Sequence, residues 1–176
     1  DLRGPSSYFN KSKLTDINIS NNQIDSLLYY TIYGVTKLNV SHNNLNKLDL
    51  KNADNLRMLD ISNNKFTRLI LNHSELIEDV NVANNELTEI GIPTVAPVKK
   101  LNISGNNFTL ANMPNDFGLS RGNFIYAPQH DLQISTSSPG IDLSEQCITK
   151  NGAKTQFVWK KKDGQPLQLG TDYTIT

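Results

Sequence analysis

The side chains that could do covalent or metal chemistry are sparse here and badly placed for it. His42, His73 and His130 stand far apart and share no metal-ligand spacing. Cys147 is the single cysteine, so it can neither close an internal disulfide nor build a multi-cysteine zinc site. It falls in a stretch that reads as a strand, where a buried thiol is inert. No glycine-rich loop suited to cradling phosphate occurs, and Lys160-Lys161-Lys162 alternates faces along a strand instead of forming one basic patch. The expectation is a protein with no catalytic residues, no metal and no cofactor.

The abundant functional group is the carboxamide. The chain has 176 residues and 23 asparagines, 22 of them before residue 124. Asn22, Asn43, Asn64, Asn85 and Asn106 are spaced 21 residues apart without an insertion. Each closes the same phrase: Leu14-x-x-Ile17-x-Ile19-x-x-Asn22-x-Ile24, then Val35, Leu38, Val40, Asn43, Leu45. Leu56, Leu59, Ile61, Asn64 and Phe66 form the third, and Ile77, Val80, Val82, Asn85 and Leu87 the fourth. Val98, Leu101, Ile103, Asn106 and Phe108 complete the fifth. This is the L-x-x-L-x-L-x-x-N-x-L phrase of leucine-rich repeats, at a period within their range of roughly 20–29 residues.

Elements follow from the columns. The x-Leu-x-Leu-x segment predicts a short strand with two apolar side chains inside and its neighbours in water. The chain then turns sharply and strands backbone groups indoors. An asparagine offers both an acceptor and a donor to satisfy them, which predicts a structural ladder along the stack. A second apolar phrase, Leu48/Leu50, Leu69/Leu71 and Ile90/Ile92 with Leu27/Tyr29, closes the far side of the core. The short connection to the next repeat leaves little room for a helix, so extended or 3₁₀ segments are expected there. The fold class is therefore a solenoid of five repeats over residues 14–123, with a parallel sheet on its concave face and few or no helices.

Solenoid ends need caps. Tyr8 shares the column of Tyr29, Leu50 and Leu71, so residues 1–13 read as a partial capping turn. After Phe108 the pattern drifts through Pro114, Gly118 and Gly122, which places the solenoid's end between Asn115 and Tyr126. Residues 124–176 read as all-β. Ile141–Thr149 and Thr155–Lys161 flank an Asn151-Gly152 turn signal, and Phe157 and Trp159 share a face as in an immunoglobulin-like core strand. An immunoglobulin-like domain needs about 100 residues, so this segment is either such a domain truncated at Thr176 or a small sheet capping the last repeat.

Lys+Arg and Asp+Glu number 17 each, giving zero formal net charge, which argues against nucleic acid and anionic membranes as partners. No apolar run approaches the roughly 20 residues that span a bilayer. Asp1-Leu2-Arg3-Gly4-Pro5 has no signal-peptide core, so an export signal is not expected within this chain. Asn10, Asn18, Asn39, Asn72, Asn102 and Asn107 all sit in Asn-x-Ser/Thr, three of them in one strand column, which reads as incidental to the repeat. The five repeats, with LDISNNKFTRLIL at residues 59–71, resemble bacterial cell-surface leucine-rich-repeat proteins, including the internalin-like group. In that group the solenoid often runs into an immunoglobulin-like domain. The resemblance implies display on a bacterial surface and binding of an extracellular protein or glycan.

Three columns are expected to face outward from the sheet. They are Asp16, Lys37, Met58, Asp79 and Lys100; Asn18, Asn39, Asp60, Asn81 and Asn102; and Ser20, Ser41, Ser62, Ala83 and Ser104. The first two columns are the candidate ligand-binding residues, and Met58 interrupts their polar character. Tyr30 and Tyr33 form a second, aromatic candidate beside Tyr29. Two functions follow: a monomeric, non-catalytic binding module presenting this face, or a structural spacer with no ligand of its own.

Overall fold

The computed structural model describes residues 14–27, 32, 34–71, 73–109, 111–114, 119, 123–130, 163, 165, 166 and 168. The expected N-terminal cap, Tyr29, Tyr30 and Tyr33, Cys147 and the hairpins expected beyond residue 140 lie outside them.

Among the described residues there is no helix. Eight strands occur: β1 (Asp16–Asn18), β2 (Lys37–Asn39), β3 (Met58–Asp60), β4 (Arg68–Ile70), β5 (Asp79–Asn81), β6 (Glu89–Gly91), β7 (Lys100–Asn102) and β8 (Phe124–Ile125). A six-stranded parallel sheet runs β1-β2-β3-β5-β7-β8, and β4 with β6 forms a second parallel pair. Register follows the sequence period: Asp16 pairs Lys37, Lys37 pairs Met58, Met58 pairs Asp79, and Asp79 pairs Lys100.

Alternation along each strand explains the core. Leu38, Leu59, Val80 and Leu101 point inward from the strand centres, and Val40, Ile61, Val82 and Ile103 follow two residues later, all buried. Leu45, Phe66, Leu87 and Phe108 close each turn from below, while Leu56 and Ile77 are sealed at its start. Burying each such side chain contributes roughly 1.5–3 kcal/mol. On the far side Leu50, Leu69 and Leu71 are buried and Ile90 and Ile92 half-buried, so the second apolar phrase does close the core. In the connections, Ala53 and Ser74 occupy equivalent buried corners, and Ser74 Oγ has no hydrogen-bond partner among the described residues.

The asparagine column lies beneath the turn. Asn64 Nδ2 donates to the carbonyls of Val40 (3.0 Å), Ile61 (3.0 Å) and Ser62 (3.2 Å), while its Oδ1 accepts from Leu45 N–H (2.9 Å). Asn43, Asn85 and Asn106 repeat this pattern on their own turns and the turn before. Asn22 bonds the Ile19 and Ser20 carbonyls. The preceding residue is left-handed in every turn: Asn21, His42, Asn63, Asn84 and Gly105 have φ between 54° and 61°. Asparagine and glycine tolerate that region, which accounts for the column. At Gly105 a Cβ would also come within 2.3 Å of Asn84 Oδ1.

The sheet and the ladder extend past residue 123, where the repeat phrase stops. β8 pairs with β7, Leu101 opposite Phe124 and Asn102 opposite Ile125. Gln129 takes the asparagine's place: Oε1 accepts from Phe108 N–H (3.2 Å), and Nε2 donates to the carbonyls of Ile103 (3.0 Å) and Tyr126. Gln129 follows Asn106 by 23 residues, so a fixed period of 21 passes over it. The longer glutamine side chain serves the same backbone groups.

Candidate functional site

The open face of the sheet is built by residues alternating with the core. In its first column Asp16 and Lys37 approach to 3.6 Å and Asp79 and Lys100 to 4.0 Å, leaving Met58 between two ion pairs. Both pairs are largely solvated, so each contributes at most about 1 kcal/mol to stability. Met58 is 42% exposed although it sits mid-sheet.

The second column is partly committed to the backbone. Asn39 Oδ1 accepts from Ser41 N–H (3.0 Å) and Oγ–H (2.7 Å), and Asp60 Oδ1 from Ser62 N–H (2.9 Å) and Oγ–H (2.6 Å). Asn18 with Ser20 and Asn102 with Ser104 do the same, while Asn81 accepts only from Ala83 N–H (3.3 Å). These side-chain turns explain the Asn-x-Ser triplets of the strands as a device that bends the chain out of the sheet. They also correct the third column. Ser41, Ser62 and Ala83 are buried and Ser20 and Ser104 half-buried, and the hydroxyls of Ser41 and Ser62 donate to the side chains of Asn39 and Asp60.

A depression of about 480 Å³ lies on this face. Asp16, Asn18, Lys37, Asn39, Met58, Asp60, Asp79 and Asn81 line it, with Ile17, Leu38 and Leu59 at its base. The structure thus gathers eight of the ten candidate residues, Met58 among them; Lys100 and Asn102 lie on the next strand, outside the lining. Ile125, opposite Asn102 and 44% exposed, adds an apolar side chain to the face that the repeat pattern does not reveal. The alternation of Phe124-Ile125-Tyr126 after the break was its only signal.

Ion pairs also run across neighbouring turns at the strand entries. Glu78 accepts from Arg57 (2.7 Å) and Lys99 (2.5 Å), and these two cations, Lys99 first, hold its carboxyl below the ordinary glutamate value. Arg68 clasps Glu89 with two hydrogen bonds of 2.6 and 3.1 Å between β4 and β6, which lowers the Glu89 pKa likewise.

His42 and His73 are exposed. His42 contacts the Asn63 amide at 3.2 Å in the left-handed column, and His130 Nδ1–H donates to Asn107 Oδ1 at 2.9 Å. Among the described residues no three His, Cys, Asp or Glu gather as a metal site would require. No helix among them is long and apolar enough to cross a membrane.

Residues 55–75 match the family model described as Leucine Rich Repeat. That match, with a parallel sheet repeating every 21 residues and no helix among the described residues, supports a leucine-rich-repeat protein. No curated protein and no solved structure matches the chain.

Proposed function

We propose that this chain is a non-catalytic interaction module that binds an extracellular ligand across the open face of its six-stranded sheet. The observation that carries the reading is the depression of about 480 Å³ that Met58 lines together with the polar columns. Met58 is the apolar side chain that this depression offers a partner, exposed between two ion pairs, and methionine adapts its shape to what it packs against. Of the two ligand classes, protein is favoured over glycan, because the lining holds no aromatic ring on which a sugar would stack. The placement on a bacterial surface is part of the proposal and draws on the resemblance of the repeat phrase alone.

The test is selection of a random displayed-peptide library on the folded protein, followed by titration against Met58→Arg, which fills the depression. Peptides that bind the natural chain and lose at least about 10-fold in affinity to the variant, a loss of about 1.4 kcal/mol, support the module. Absence of any such peptide overturns it.

One observation favours a spacer as the second reading. The Oδ1 atoms of Asn18, Asn39, Asp60 and Asn102 are each committed to the turn that follows them, so much of the polar face is architecture.

A further inference from the structure

We infer that the depression receives one cationic side chain with an aliphatic stem, a lysine or arginine of an extended protein segment. Its stem lies on Met58 and its charged head on Asp60. The inference rests on the binding reading above and names the chemistry of the partner.

The argument begins with the turn. Asn18, Asn39 and Asn102 accept the backbone N–H and the hydroxyl of the serine two residues on through Oδ1, and Asp60 does so with the same geometry. The turn needs an oxygen acceptor, which a neutral asparagine supplies three times over. The turn itself therefore does not require the negative charge of Asp60, whose second oxygen faces the neighbouring turn.

That charge is also uncompensated. Asp16 faces Lys37 and Asp79 faces Lys100, but among the described residues no lysine, arginine or histidine pairs with Asp60. Its partners are neutral donors: Ser62 N–H and Oγ–H on Oδ1, and Asn81 Nδ2–H on Oδ2 at 3.1 Å. A carboxylate offers about four acceptor sites, so one remains on Oδ2. Asp60 is half-buried, where a charge is screened less than at the open surface.

Met58 supplies the second requirement. It stands two residues before Asp60 on the same face of β3, roughly 6.5–7 Å away along the strand. That distance suits the stem and head of one lysine or arginine laid over a thioether. The lining reaches across four strands, about 14 Å, which accommodates about four residues of extended chain.

The experiment uses peptides selected on the whole protein from the random displayed library. Each is resynthesised with its arginine or lysine replaced by norleucine, and titrated against the natural chain, Met58→Arg and Asp60→Asn. Asp60→Asn reproduces the residue of its four sister turns, Asn18, Asn39, Asn81 and Asn102, so it should fold, and its amide spectrum checks that it does. The expected result is Met58-dependent peptides enriched in arginine or lysine. Asp60→Asn should weaken them about 10-fold and leave the norleucine forms within about twofold. Met58-dependent peptides without a basic residue, or an unchanged affinity in Asp60→Asn, overturn this inference and leave the binding surface standing. If no Met58-dependent peptide emerges, both fall.

Discussion

At the turns of the second to fifth repeats a buried carboxamide, from Asn43, Asn64, Asn85 or Asn106, meets three carbonyls and one N–H. Asn64 has two hydrogens for the carbonyls of Val40, Ile61 and Ser62, so at least one is shared. Asn64→Asp keeps the shape and the acceptor for Leu45 N–H but turns oxygen lone pairs towards those carbonyls. It is expected to destabilise the protein by about 3 kcal/mol or more, read as a fall in the urea midpoint. An unchanged midpoint would show that water or a shifted backbone can replace the ladder. The ladder's place was legible from the spacing of Asn22 to Asn106, because only a two-sided hydrogen-bonding side chain suits a buried turn. Gln129 was not legible: its role depends on how the extra residues before it are looped out.

At the scale of elements, strands three residues long are held by what lies beside them. The Arg57–Glu78–Lys99 row joins three successive turns by side-chain ion pairs. Glu78 has its pKa lowered in the folded state, so its contribution is full above the ordinary glutamate range near 4.3 and is lost as pH falls through the lowered folded value. We therefore expect part of the stability lost between pH 5 and pH 3, roughly, to depend on this residue. Glu78→Gln should flatten that limb of the stability–pH curve, and high salt should do the same to the natural chain because the row is solvent-accessible. An acid limb identical in Glu78→Gln and the parent would remove Glu78 from the account. The pairing of Asp16 with Lys37 was readable from the 21-residue period. The triple row was not drawn from it, since charges at strand entries carry no alternation to mark which way they point.

For the whole molecule, each turn contacts mainly the turns on either side, so stability is close to a sum over repeats and interfaces. Removing residues 56–76 deletes one complete period and brings Asn43 next to Asn85 and Lys37 next to Asp79. The shortened chain is expected to fold with one cooperative urea transition of lower m-value, since less surface is exposed on unfolding. It should also lose the peptides selected on the natural chain, because Met58 and Asp60 go with the deleted turn. A shortened chain that fails to fold would contradict the additive picture, while one that folds and binds unchanged would move the ligand off this face.

By itself the sequence determined the period, the inward columns, the asparagine ladder and the parallel register. All of these repeat identically from turn to turn, and one spacing specifies them. The tertiary structure decided what the period cannot express. It buried Ser41, Ser62 and Ala83 of the third column, carried the sheet one strand further to Ile125, and left Met58 exposed beside the one carboxylate of the second column. Those outcomes depend on which atoms meet across neighbouring turns, and a column of letters holds side-chain types but not the hydrogen bonds that occupy them.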